Sequence, residues 1–176
     1  MKSAYFLTGR PGVGKTTLLR EVLADLPASA GGFYTEEVRQ GGVREGFRIV
    51  TLDGQTATLA SVNVPSPHRV SKYGVSIENL EQIGVVALRR AIKTSDIIVI
   101  DEVGKMELFS AQFQQAVLDA IESGKAVLGT IMLAPRPWTD RLKQHPRVRV
   151  VQLTEANRDV VREEIREVLE GLAKRP

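Results

Sequence analysis

The chain predicts a three-layer α/β fold, a mainly parallel sheet with helices on both faces and a small antiparallel insert. Three observations carry that prediction. Gly9-Arg10-Pro11-Gly12-Val13-Gly14-Lys15-Thr16 matches the phosphate-loop pattern G-x-x-x-x-G-K-[ST] and stands between an apolar strand and an apolar helical pattern. Ile97-Ile98-Val99-Ile100 is a run of four β-branched residues, the composition of a strand buried on both faces. Strand-like and helix-like patterns then alternate to the end, as helices layered on a parallel sheet require.

In chain order, residues 5–7 supply the first strand, and Leu18, Leu19, Val22, Leu23 and Leu26 recur at helical spacing until Pro27 ends the helix. Residues 31–38 read as a strand, Gln40-Gly41-Gly42 as a turn and residues 43–52 as a second strand. Asp53-Gly54 reads as a two-residue hairpin turn into a third strand over 56–60, the three strands forming the antiparallel insert. Two prolines make 63–68 a surface loop. Ser76 is placed to cap a helix over 77–93 with Leu80, Gly84, Ala87, Leu88 and Ala91 on one face. After the buried strand, Ser110 caps a helix carrying Phe113, Val117, Ala120 and Ile121, and Gly124 supplies its left-handed stop. Residues 126–131 and 148–153 are the last two strands, separated by an irregular region with a short helix over 140–144. Thr154 caps a terminal helix whose stripe is Val161, Ile165, Val168, Leu169 and Leu172.

Composition bounds the function. A length of 176 residues with 43% hydrophobic content suits one domain, expected to span 1–176. No apolar run is long enough to cross a membrane and no signal-peptide pattern opens the chain, so a soluble, cytoplasmic protein without a membrane partner is expected. The absence of cysteine excludes disulfides, thiol nucleophiles and Cys-based zinc sites. A net charge of +3 with scattered Lys and Arg argues against a nucleic-acid partner, and the densest cluster, Arg136, Arg141, Lys143, Arg147 and Arg149, reads as a solvated face. A monomer is expected.

The motifs specify phosphate chemistry. Glycines in the loop let successive backbone N–H groups face an anion at a helix N-terminus, Lys15 reaches the outer phosphates, and the Thr16 hydroxyl is placed to bind Mg²⁺. Asp101, at the end of the buried strand, fits the carboxylate that completes the Mg²⁺ site, and Glu102 next to it fits the base that activates water. Thr130, at the end of the following strand, either polarises the same water or a phosphate or is a β-propensity choice. Lys105 and Glu107 stand within a few residues of the phosphates and also read as an ordinary surface pair. Asp101-Glu102-Val103-Gly104 fits the D-x-x-G of switch GTPases, yet the guanine-reading [NT]-K-x-D occurs nowhere, so broad base tolerance is expected. No arginine announces itself as a finger; Arg39, Arg48, Arg136 and Arg158 are the candidates.

GRPGVGKTT, GGFYTEEVR, GFRI at 46–49, YGV at 73–75, DEVGKMELFS and Asn157-Arg158-Asp159 occur together in this order. With them the chain resembles the thermophile-type small nucleoside-triphosphatases, which have an animal relative called the cancer-related nucleoside-triphosphatase. The resemblance spans nearly the whole chain, although Met132 to Arg147 carries no family signature. It implies a P-loop nucleoside-triphosphatase fold with a RecA-like or AAA-like core, and hydrolysis of several nucleoside triphosphates to diphosphate and phosphate. It also implies nucleotide contacts from Gly9, Arg10, Pro11, Gly12, Val13, Gly14, Lys15 and Thr16, and from Asp101, Glu102, Val103, Gly104, Lys105, Met106, Glu107 and Leu108. A small nucleotide or metabolite kinase and a nucleotide-dependent binding module are the competing classes.

Overall fold

The computed structural model describes residues 1–174, so Arg175 and Pro176, the end of the expected domain, lie outside the described residues. One nine-stranded sheet, ordered β5-β6-β4-β3-β2-β7-β8-β1-β9, organises the chain. β2 (Ala30–Gln40), β7 (Ile97–Val103), β8 (Ala126–Ile131), β1 (Ala4–Thr8) and β9 (Val148–Gln152) pair in parallel. All residues of β1 and β8 are buried, as strands covered on both faces must be.

The two faces carry separate cores. α1 (Lys15–Ala24) and α6 (Arg158–Ala173) cover one, where Leu18, Leu19 and Val22 meet Val161, Ile165 and Leu169 over Leu7, Val99 and Leu128. The other is covered by α4 (Ala111–Glu122) and by a continuous helical rod made of α2 (Ile77–Asn79), a π-helical stretch (Leu80–Val85) and α3 (Val86–Thr94). There Leu80, Leu88, Phe113 and Val117 pack against Phe6, Phe33, Ile98 and Ile100. Ser76 and Ser110 cap their helices as expected, accepting from Asn79 and Phe113 N–H groups at 3.3 and 3.0 Å.

β3 (Val43–Thr51), β4 (Thr56–Ser61), β5 (Arg69–Val70) and β6 (Tyr73–Val75) extend the sheet in antiparallel fashion. β2 is not confined to this insert: Ala30 to Phe33 pair in parallel with β7, and Phe33 to Gln40 pair antiparallel with β3. Gly32 permits that junction, because a Cβ there would lie 2.1 Å from the Val99 carbonyl oxygen.

Four expectations change in detail. The two-residue turn belongs to Gly41 and Gly42, both at positive φ, whereas Asp53 does not take positive φ and residues 52–55 form a longer loop fixed by Thr51 and Arg90. The short helix after β8 is α5 (Pro137–Lys143), starting earlier because proline suits a helix's first positions. The β5–β6 hairpin falls just after the proline loop, in a stretch too short to show alternation. Thr154 caps a turn and not α6 itself: its hydroxyl accepts from the Asn157 N–H at 3.2 Å, while the Asn157 side chain accepts from the Thr154 N–H at 2.7 Å. α6 begins at the next residue, Arg158.

Candidate active site

The parallel strands bring the carboxyl ends of β1 and β7 to the same sheet edge, with β8 between them, and ligands of open α/β sheets bind there. Residues 9–14 leave β1 and turn into α1, so Lys15 and Thr16 are that helix's first residues. Gly14, at φ 97°, is the N-cap and supplies no side-chain cap, which leaves the first-turn N–H groups facing outward for an anion. Lys15 Nζ folds back over the loop, donating to the Gly9 and Arg10 carbonyls at 3.1 and 3.3 Å.

Asp101 and Glu102 lie in β7, and the Thr16 hydroxyl donates to Asp101 Oδ2 at 2.7 Å. Thr130, fully buried on β8, donates to the other Asp101 oxygen. Thr130 is thus a partner of the Asp101 carboxylate, a role that neither reading of its position in the sequence had named. Burial pushes the Asp101 carboxyl up, opposed by the Thr130 and Thr16 hydroxyls, the Thr35 backbone N–H and the Lys15 charge. Sequence reasoning missed Thr35, whose contribution is a backbone group and leaves no residue-type signal. A hydroxyl and a carboxylate in hydrogen-bond contact are the oxygen donors Mg²⁺ uses when phosphates and water complete its shell. Among the described residues no cluster of three His, Cys, Asp or Glu could hold a metal unaided.

Glu102 is half-buried, and its carboxyl is pushed up by burial and by the Asp101 charge, while Lys15 holds it down. Glu107 departs from the surface-pair reading. After β7, Gly104, Lys105 and Met106 turn the chain into a short 3-10 helix (Glu107–Phe109) that leaves Glu107 only 4% exposed. A Cβ on Gly104 would stand 2.4 Å from Glu102 Oε1 and 3.2 Å from Glu107 Oε2, so both carboxyls crowd the same peptide. Burial, then the Glu102 charge, pushes Glu107 well above the ordinary 4.5, against its own and the Gly104 N–H groups. Lys105 is exposed, Val103 is fully buried, and Met106 and Leu108 are partly buried against the core.

A stability prediction arises here. A carboxyl whose folded pKa is raised costs nothing below its unfolded value and destabilises increasingly as pH rises through the folded one. Glu107→Gln is therefore expected to raise the nucleotide-free melting temperature by about 2 °C or more at pH 8. The gain should shrink as pH falls towards 4.5. Thermal melts of both proteins across pH check this; a gain that grows on acidification contradicts it.

The candidate arginines separate clearly. Arg39 is tied to Glu37 and the Gly42 carbonyl, Arg48 to Glu36, and Arg136 opens α5 without an ion pair among the described residues. Only Arg158 among them contacts the phosphate loop, donating to the Gly14 carbonyl at 3.2 Å and to Glu21 on α1 at 3.2 Å. Glu21 had no signal in the sequence. Arg158 and Gly14 are 144 positions apart, so only the fold joins them.

The sequence profile described as NTPase matches residues 4–166. Nucleoside-triphosphatase THEP1 of Thermotoga maritima is 47% identical over 163 residues, covering 93% of each chain. The human cancer-related nucleoside-triphosphatase is 42% identical over 175 residues, covering 90% of this chain and 92% of its own. The crystal structure of THEP1 from the hyperthermophile Aquifex aeolicus superposes with a TM-score of 0.86 at 37% identity, over 97% of this chain and 99% of that one. The solution structure of the human protein gives 0.79 at 36% identity, over the full length of both. Identity at this level runs far beyond the loop that phosphate-binding proteins of many kinds share, and the chain belongs to the NTPase family of nucleoside-triphosphate hydrolases.

Proposed function

We propose that this protein hydrolyses ATP, GTP, CTP, UTP and similar nucleoside triphosphates to diphosphate and phosphate, with Mg²⁺ and with little base selectivity. In this reading the loop and Lys15 hold the β- and γ-phosphates, Thr16 and Asp101 hold the metal, and Glu102 orients and deprotonates the attacking water. The observation that carries it is the contact between Thr16 and Asp101, 85 positions apart, at the mouth of the loop with Glu102 beside it. The one continuous sheet supports reading the chain as a single domain, and the monomer and cytoplasmic location belong to the same proposal. No helix among the described residues is long and apolar enough to cross a membrane.

Water, and not a second substrate, is the acceptor in this reading. A kinase lid commonly brings arginines over the phosphates. In the segment after β8, however, the Arg147 carbonyl accepts from Ser3 and Ala4 N–H groups at the amino end of β1, and its guanidinium is held by the Glu122 carbonyl. That puts Arg147 across the sheet from the loop.

Phosphate release from the four triphosphates is expected to agree within about tenfold, since the site grasps phosphates and metal more than base edges. The test follows all products with Mg²⁺ and each triphosphate, with and without a panel of monophosphates. A monophosphate or small alcohol accepting the γ-phosphate faster than water sinks the hydrolase reading.

A further inference from the structure

We infer that Arg158 is a positioning residue for the phosphate loop, gripping the carbonyl of Gly14 so that the next N–H, that of Lys15, is aimed into the anion site. In a trans peptide the C=O and the following N–H lie in one plane and point in opposite directions. Whatever fixes the Gly14 oxygen therefore fixes the direction of the Lys15 N–H. That oxygen accepts two bonds, the ordinary helical one from the Leu18 N–H at 3.0 Å and a charge-assisted one from Arg158 Nη1 at 3.2 Å.

Glycine makes the grip necessary and possible. Gly14 sits at φ 97° with no Cβ to restrict its peptide, and an added Cβ would lie 2.8 Å from Arg158 Nη1. The guanidinium is itself held. Nη2 contacts both Glu21 oxygens, at 3.2 and 3.3 Å, two helical turns along α1. Behind it, the reciprocal bonds between Thr154 and Asn157, with Asn157 Nδ2 donating to the Gln152 carbonyl at 2.8 Å, fix the turn from which Arg158 projects. The arrangement crosses from the last helix to the first, and its carbonyl target belongs to the loop and not to the helix body. A guanidinium bond there also polarises the peptide, strengthening its N–H as a donor.

The inference takes the loop as the triphosphate site from the proposed function but needs no hydrolysis, so its test is binding. Calorimetric titration with Mg²⁺ and a non-hydrolysable ATP analogue should give a dissociation constant about tenfold weaker for Arg158→Ala. Arg158→Lys keeps one charge-assisted donor and should recover most of that loss. A staple that only joins α6 to α1 would lower the nucleotide-free melting temperature and leave the dissociation constant within twofold of the parent, and that result overturns the inference. Should Arg158→Ala not fold, Glu21→Ala on the surface of α1 frees the guanidinium; it is expected to weaken binding about threefold, and an unchanged constant overturns the inference equally. A parent protein that binds the analogue in an Arg158-dependent way and yet releases no phosphate from ATP would retain this role and lose the hydrolase reading.

Discussion

Lys15→Ala is expected to lose triphosphate binding and turnover together, with phosphate release falling by about 10³ or more. Lys15 is the cation of the phosphate-loop pattern itself, placed to reach the outer phosphates. Its Nζ now rests on the Gly9 and Arg10 carbonyls, two neutral acceptors that an anion outcompetes. The same charge restrains the upward shifts of Asp101 and Glu102, so its removal also favours protonated carboxyls at the site. Equilibrium binding of Mg·ATP and phosphate release, measured on one preparation, check both halves. Parent-like turnover in this variant would place the phosphates elsewhere.

Legible in the sequence is what short stretches of chain encode. The phosphate loop is local: glycine spacing, Lys15 and Thr16 occur within eight residues, and the strand before and helix after confirm it. β7 was equally legible, because four β-branched residues in a row demand burial on both faces, which all four attain. Serine caps at Ser76 and Ser110 depend on the next three residues alone and were realised.

The rest was hidden by tertiary geometry. Glu107 reads from the sequence either as a carboxylate near the phosphates or as a surface partner for Lys105; the short 3-10 turn rotates it inward against Glu102, and nothing in residue type reveals a turn of that kind. β2 changes from parallel to antiparallel pairing at Phe33, a property of its neighbours and not of its own sequence. The Thr154–Asn157 turn imitates a helix start three residues early, since its reciprocal bonds are those of a helix cap. Arg158 stands in the sequence as one of four finger candidates and within the Asn157-Arg158-Asp159 stretch, and its contact with Gly14 needs the whole intervening sheet to be folded.

Glu102→Gln separates binding from chemistry. The substitution keeps the size of the side chain and one acceptor oxygen but cannot take a proton, so Mg·ATP binding should persist while hydrolysis falls by about 10² or more. The electrostatics sharpen the expectation. Burial and the Asp101 charge raise Glu102 above the ordinary 4.5, which makes it a better proton acceptor than an exposed glutamate, and Lys15 limits that rise. The acid limb of the parent's kcat/KM profile, which reports the free enzyme, should accordingly lie above 4.5, as activity is lost when Glu102 takes up its proton, and the residual rate of the variant should lack that limb. Glu107 is the nearest substitute, because its carboxyl crowds the same Gly104 peptide, but its stronger burial keeps it protonated to higher pH. If Glu102→Gln hydrolyses within threefold of the parent, the base lies elsewhere, and Glu107→Gln becomes the decisive variant. Loss of turnover there with binding intact, and an acid limb shifted downward in the Glu102 variant because Glu107 is relieved of the Glu102 charge, would move the proton-accepting role one carboxyl inward.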